Sequence, residues 1–460
     1  MKKKIICLLL ILVFVVSLTS CFKDDRDYDY KDMSKYVTIP NYQGHKIEVS
    51  KDVIQNSVDS YIMQYATELY KALKGDDIYV DLKFTETVYL DDDDTIDQKG
   101  NVIEELGKTD YFIDELGDGN YNKTLEDLII EWGVQITKTT EKIITLPDDD
   151  MFGEYKGQKV YFSVTFKDKA CLKGDVVKVK YTGYYLDDKG EIKLNDKGEK
   201  DSFDSSDGTT FYLGSHLAID DFENGIVGMR VGEANKKQIK ATFPDDYMSE
   251  DLKGKTVIFE VTVLEIRITP KYNDEFAKKL GHDTTEKLEA ALLESYASSK
   301  MNEWLYENTV FIDYPSKEYR AMRLSFEELD TLYMSNYGMT FENFVLMYYG
   351  MTKDEYIKDS MKPDLLYYGI AQLRNIVPTE TDLANAKESL ITEYTNSYIS
   401  DYSGITKEQA REMAIEYVEQ NLGTTAVHKE AIYTLVDAHI KASYTVELTD
   451  ATFESITNQK

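Results

Sequence analysis

Residues 145–166 read TLPDDDMFGEYKGQKVYFSVTF, and residues 242–263 read TFPDDYMSEDLKGKTVIFEVTV. Set against each other at an offset of 97, eleven of the 22 positions are identical, where composition alone gives roughly one or two. The likeness extends upstream, since Gly75-Asp76 answers Gly174-Asp175 and Leu116-Gly117 answers Leu213-Gly214. One β-rich module therefore occurs twice, over 75–168 and 174–268. In the second copy Val177, Val179 and Tyr181 alternate on one strand face, as do Val257, Phe259, Val261 and Val263 on the last strand. Between them, the stretch from Asp220 to Ile226 reads as one or two helical turns with an aspartate cap and with Phe222 and Ile226 on one face. A strongly curved sheet wrapped around that helix would leave an aromatic-lined mouth.

Outward from the repeat the pattern is helical. Ile54, Val58, Ile62, Tyr65, Leu69 and Leu73 recur every three or four residues and predict a helix over 50–74, capped by Ser50 and ended by Gly75. Beyond Pro270, the pairs Asp283/Glu286, Thr352/Glu355 and Thr406/Gln409 have capping-box spacing. Gly338-Met339-Thr340 and Gly350-Met351-Thr352 each join a helix stop to a helix start. The domain order expected is a leader over 1–20, a tether over 21–35, a strand and helix over 36–74 allied to the helical part, the two modules, and a helical domain over 270–460.

Across 460 residues, 84 Asp and Glu against 53 Lys and Arg give a net charge of −31. That balance excludes nucleic acid as a partner, because phosphate contacts need a basic surface. Lys2, Lys3 and Lys4 precede an apolar run from Ile5 to Val16 that is too short to span a bilayer, which is the pattern of an export signal. Leu18-Thr19-Ser20-Cys21 resembles the bacterial lipobox, which implies lipid on Cys21 and a location on the outer face of the cytoplasmic membrane, with contact to the membrane through that lipid only. Cys171 is then left alone, so no internal disulfide is expected.

The second module carries further motifs in a fixed order: Tyr181-Thr182-Gly183, Phe203-Asp204-Ser205-Ser206, Leu213-Gly214, and Gly225-Ile226-Val227-Gly228-Met229 with Gly232-Glu233. This order resembles the FKBP-type peptidyl-prolyl isomerases. Phe243-Pro244-Asp245-Asp246-Tyr247 with Leu252-Lys253-Gly254-Lys255 is closest to the trigger factor branch of that family. The flanks resemble that branch's chaperone domain more weakly, through the 50–74 helix, Asp313-Tyr314-Pro315 and the paired Gly-Met-Thr turns. The fold class implied is α+β and multidomain, with two tandem FKBP-like curved-sheet modules and an α-helical trigger-factor-like chaperone domain.

Rotation about a peptide bond faces a barrier of about 18–20 kcal/mol. The planar amide is more dipolar than the twisted transition state, so a dry aromatic pocket favours the twisted form without nucleophile, metal or cofactor. The resemblance implies that Tyr181, Phe203, Ile219, Phe222 and Phe259 line the pocket. It makes Asp204 the buried polar group near the substrate carbonyl, and has Tyr247 offer its hydroxyl to the peptide. Thr209 stands where the family usually has a pocket aromatic, which predicts a wider, slower pocket. In the first module Leu82 replaces Tyr181, Leu125 replaces Phe222, Asp150 replaces Tyr247 and only Phe162 is kept, so no catalysis is expected there. The five histidines are scattered without metal spacing, His216 reads as a surface residue, and the acidic runs 91–94 and 148–150 read as solvated loops. The function expected is extracytoplasmic prolyl isomerisation and chaperoning of newly exported, unfolded chains with X–Pro bonds, without the ribosome. The alternative is a non-catalytic holdase.

Overall fold

Alternating apolar residues fix the strands, and left-handed glycines and threonine caps fix the helix ends. The computed structural model describes residues 32–89, 96–402 and 404–450; the leader reading and Cys21 lie outside the described residues, as does the acidic run 91–94. The chain divides into two units, residues 50–292 and a second made by residues up to 49 with 293–449.

The strands in chain order are β1 Val37–Thr38, β2 His45–Ser50, β3 Ile78–Tyr89, β4 Ile96–Val102, β5 Lys108–Ile113, β6 Thr139–Thr145 and β7 Lys159–Asp168. They continue with β8 Val176–Tyr185, β9 Ser202–Tyr212, β10 Lys237–Thr242, β11 Thr256–Arg267, β12 Val310–Phe311 and β13 Tyr444–Thr449. The first module is a five-stranded sheet of order β4-β3-β7-β6 with β5 also on β3; the second is four-stranded, β10-β11-β8-β9. Every pairing within these two sheets is antiparallel. Each lays a short helix, Lys123–Trp132 or Asp220–Ile226, over its apolar face.

The expected curved-sheet modules are corrected by this topology. Both sheets are open, with unpaired edges (β9 and β10 in the second), and neither is curled or barrel-like. Alternation of apolar residues specifies which face is buried and carries no information on curvature. What stands is a mixed α+β architecture with several sheets and a C-terminal helical region.

The helix expected over 50–74 stops at Tyr65. Ser50 does cap it, accepting from the Asp52 amide at 3.2 Å. Residues beyond it give their backbone groups to both modules instead: Tyr70 N–H to Ile266 C=O and Ala72 N–H to Val134 C=O, each at 2.9 Å. Apolar spacing continued past the helix in part because Leu69 packs on the module core in extended form, while Leu73 is exposed. Gly75 is left-handed, at φ 87°, but closes the turn into β3.

One apolar core runs through both modules, from Ala72 to Ile266, and includes Cys171, whose thiol burial pushes up to about 12. Arg230 joins the copies: its Nε donates to Asp168 at 2.6 Å and its guanidinium lies 3.5 Å over the Tyr79 ring.

In the other unit, Gly338 (φ 70°) and Gly350 (φ 65°) end the helices Ser316–Tyr337 and Phe341–Tyr349, and Thr340 and Thr352 cap the next ones. The Thr352/Glu355 and Thr406/Gln409 capping boxes form. The Asp283/Glu286 pair, which belongs to the unit of residues 50–292, does not: Thr284 accepts from the Lys287 amide, while Asp283 pairs with the Lys287 side chain. Phe326, Phe341, Val345, Tyr356 and Ile357 centre one helical cluster, and Leu390, Ile391, Ala414 and Val418 another.

Candidate functional site

Gly183 decides where the site can be. It sits on β8 opposite Phe259 of β11, and a Cβ built on it would lie 2.6 Å from Phe203 Cζ and 2.9 Å from Phe259 Cε1. The missing side chain leaves room for those rings, and a cavity of 1020 Å³ opens beside them. All seven residues expected at the pocket line it: Tyr181, Phe203, Asp204, Ile219, Phe222, Tyr247 and Phe259. Phe222 and Phe259 are almost fully buried and meet edge to face, centroids 4.8 Å apart and planes at 67°. Tyr181 meets the same two rings at 5.6 and 5.9 Å, both at 72°. These are the tilted contacts that ring quadrupoles favour.

Phe222 comes from the helix Asp220–Ile226, which carries no side-chain cap. The expected aspartate cap does not form; the buried carboxylate of Glu223 instead accepts from backbone N–H groups of the preceding loop, those of Gly214 (2.7 Å), Ala218 (2.9 Å) and His216 (3.3 Å). This holds the loop 213–219, one wall of the cavity, and places Ile219. Burial pushes the Glu223 carboxyl above its ordinary value against the pull of those N–H groups.

Asp204 is exposed, where a buried carboxylate was expected. It lies on the edge strand β9, so its carboxylate stays in water while accepting the Tyr181 hydroxyl at 2.8 Å. Burial, with that carboxylate adding to it, pushes the Tyr181 hydroxyl up to about 12, so at neutral pH it remains a donor. Tyr247 is half-buried, 4.5 Å from the Phe243 ring. Thr209 is not part of the wall and donates to Ser206 Oγ at 2.6 Å. An aromatic does come from this strand: Phe211, two residues on and therefore on the same face, meets Phe222 edge to face at 5.1 Å.

Sequence reasoning missed Phe211, Phe243, Leu217 and His216 in the lining. Strand alternation could have found Phe211. His216 is half-buried rather than on open surface: it takes a left-handed φ of 60°, and its Nδ1 lies 2.5 Å from Asp220 Oδ1. Among the described residues, no group of three or more His, Cys, Asp or Glu could hold a metal ion, and Asp148 and Asp150 pair with Lys156.

The first module keeps the frame and lacks the cavity wall. Glu126, 97 residues before Glu223, is buried and accepts from the N–H groups of Gly117, Gly119, Tyr121 and Asn122 at 2.7–3.0 Å. Phe84 faces Phe162 across β3 and β7 in the register of Gly183 and Phe259. Its ring stacks on Phe162 at 4.8 Å, with Phe152 at 6.4 Å, and all three rings are buried. Leu82 and Leu125 are buried beside them, and Asp150 is exposed.

Residues 167–264 match the family described as FKBP-type peptidyl-prolyl cis-trans isomerase. The chain is 31% identical over 259 residues to the trigger factor of Alkaliphilus metalliredigens, covering 50% of this chain and 55% of that protein. To the trigger factor of Saccharophagus degradans it is 32% identical over 279 residues, 55% and 59% of the two chains. To that of Clostridium perfringens it is 38% identical over 170 residues, 33% and 39%. The chain thus spans little more than half the length of the first of these relatives. It carries an FKBP-type peptidyl-prolyl cis-trans isomerase domain, the enzyme expected from its motifs.

The same relatives correct the expected location and partners. Trigger factors are cytoplasmic and ribosome-associated. That overturns the exported, lipid-anchored reading through Cys21, the extracytoplasmic setting with newly exported clients, and the exclusion of the ribosome. No described helix is long and apolar enough to cross a membrane.

Proposed function

We propose that this chain is a chaperone-isomerase that binds unfolded polypeptide and speeds rotation about its X–Pro bonds in the cavity of the second module. The observation that carries the proposal is the ring-lined cavity at Gly183, within the residues that match the isomerase family. Phe203, Phe222 and Phe259 exclude water from the prolyl ring and its amide, so the less dipolar twisted amide is favoured over the planar one. Ile219, on the loop held by Glu223, offers apolar surface and its backbone to the peptide. Tyr247, half-buried at the rim, positions a hydroxyl for a peptide carbonyl. The Tyr181 hydroxyl, directed by Asp204, fixes the wall that the twisting carbonyl passes.

The helical unit supports the binding half of the proposal. Tyr337, before Gly338, and Leu346, Met347 and Tyr348, before Gly350, are each more than half exposed. Flexible thioethers and broad tyrosine rings suit contact with varied apolar segments.

The test is exchange spectroscopy on a proline tetrapeptide with the full chain. Acceleration of cis–trans exchange is expected, together with an at least tenfold loss in Tyr247→Phe or Asp204→Ala and little change in the thermal midpoint. Absence of acceleration by the unmodified chain would refute the proposal.

A further inference from the structure

Phe222 comes from a helix of only seven residues, Asp220–Ile226. So short a helix has too few internal hydrogen bonds to hold itself, and its place depends on what grips its ends. Glu223 grips the side of the loop 213–219. The other end is gripped by the chain that leads in from the first module. Gly228 N–H donates to Cys171 C=O and Cys171 N–H donates to Met229 C=O, both at 2.8 Å. The segment after the helix is thereby laced to the linker between the modules. Met229 N–H also donates to Ile226 C=O at 2.9 Å, which ties that segment to the last residue of the helix. Arg230 comes next, and its side chain reaches the first module itself.

Three first-module residues receive the guanidinium. Nε donates to Asp168 Oδ1 at 2.6 Å, Nη2 donates to Asp110 Oδ1 at 3.4 Å, and Cζ lies 3.5 Å from the centroid of the Tyr79 ring. Asp110 is shared with Lys167, at 3.6 Å, which leaves Asp168 and Tyr79 as the main anchors. Those two face each other across β3 and β7, so one arginine covers a cross-strand pair. Alternation along β7 buries Val164, Phe166 and then Asp168, at 5% exposure. A carboxylate so buried destabilises the fold unless a charged partner meets it, and Arg230 of the second module meets it. The first module has no such arginine in return. There Ala72 N–H donates to Val134 C=O as Cys171 does to Met229, and the next residue is Gln135. The shared frame therefore explains the lacing and leaves the anchor unexplained. None of the three partners lies in the loop that Glu126 holds.

We propose that Arg230 is a positioning residue for the isomerase cavity: anchored on Asp168 and Tyr79, it fixes the end of the helix Asp220–Ile226 and so the Phe222 ring. The proposal rests on the isomerase reading of the cavity. Phe222 meets Tyr181, Phe211 and Phe259 at 5.6, 5.1 and 4.8 Å, so a displaced helix would loosen three contacts of the wall at once. The first module thereby serves the reaction as a brace, while the chemistry stays in the second.

The experiment uses the full chain as wild type, Arg230→Met, Arg230→Lys and Phe152→Ala, at a temperature where circular dichroism shows each one folded. Two readings are taken: catalytic efficiency on a proline tetrapeptide by exchange spectroscopy, and the Phe222 ring resonances in phenylalanine-labelled protein. Arg230→Met keeps the side-chain length and removes the charge; it should lower efficiency about tenfold and shift the Phe222 ring. Arg230→Lys keeps the charge without the fork or the stacking face, so it should lose about threefold, with a smaller shift of the same ring. Phe152→Ala opens the first module's core beside Phe84 and leaves Asp168, Tyr79 and Asp110 in place. It should lower the thermal midpoint and spare both readings. A merely structural Arg230 would behave as Phe152 does. Efficiency within a factor of two of wild type in Arg230→Met, or an unmoved Phe222 ring, overturns the proposal. So does an equal loss of efficiency in Phe152→Ala. Should Arg230→Met not fold, Arg230→Lys decides by the same two readings. If wild type shows no turnover, the isomerase reading fails, and the Phe222 ring still decides the role of Arg230.

Discussion

The two modules share a frame and differ in what fills it. Each has a buried glutamate, Glu126 or Glu223, that holds its loop by backbone N–H groups. Each has an aspartate, Asp76 or Asp175, that accepts a backbone N–H at 2.8 Å in the turn before its first strand. Each places a phenylalanine, Phe162 or Phe259, on its last strand. The difference lies opposite that phenylalanine: Phe84 in one, Gly183 in the other. Phe84 itself stacks on Phe162, whereas Gly183 leaves that place to the Phe203 ring at the cavity. A repeated fold therefore tells little about whether both copies work; the residue facing the shared ring tells more.

The comparison can be broken first through stability. Phe84→Ala should cost about 3–5 kcal/mol, because it empties a stacked, fully buried site. Phe203→Ala, half-buried in the lining of an open cavity, should cost about 1–2 kcal/mol and act mainly on turnover. Denaturant unfolding of the two variants measures the gap, and equal costs would mean that the first module is not packed shut.

The glutamates come next. Glu126→Ala and Glu223→Ala should each destabilise by about 1–3 kcal/mol, since several backbone N–H groups lose a charged acceptor. Only the second should also lower isomerase efficiency, because its loop carries Ile219 at the cavity. An equal loss of turnover from both would show that the first module contributes to catalysis.

Smaller still is the rim. Asp204→Asn removes the charge that directs the Tyr181 hydroxyl and should slow turnover about tenfold, equivalent to about 1.4 kcal/mol, with stability unchanged. The matching change in the first module, Leu82→Tyr, should gain no activity while Phe84 remains.

The smallest effect is on acid stability. Lys200 and Lys236 hold the Glu260 carboxyl down at about 2, from an ordinary 4.5. Because the folded value is depressed, its contribution is full above pH 4.5 and is lost as pH falls toward 2. Ser163 occupies the corresponding place in the first module. Acid titration of Glu260→Gln should therefore show a shallower loss of stability across that window than wild type, and an identical slope would remove Glu260 from the account.

Much of this was legible in the sequence because the constraints are local. Identity at an offset of 97 revealed the repeat, and ordered motifs brought seven side chains to one cavity. Gly338 and Gly350 announced their turns because left-handed backbone strongly favours glycine. What stayed hidden depends on partners far along the chain. The helix over 50–74 was overextended because backbone pairing of Tyr70 and Ala72 with Ile266 and Val134 is invisible to periodicity. Asp204 was taken as buried because a motif does not say that its strand lies at an edge. Curvature was expected where the sheets are open, since alternation fixes faces and not closure. The Phe84 and Gly183 contrast was present in the sequence, at an offset of 99 rather than 97, and needed the strand register to be read.

The central claim is that Gly183 makes the cavity in which prolyl bonds rotate. The most direct measurement is catalytic efficiency of Gly183→Phe on a proline tetrapeptide in the full chain, with circular dichroism to confirm that the sheet persists. A ring placed there would push Phe203 and Phe259 from the positions in which they line the cavity, and turnover should fall at least a hundredfold in a folded protein. Activity within a factor of two of wild type would contradict the account and place the chemistry elsewhere.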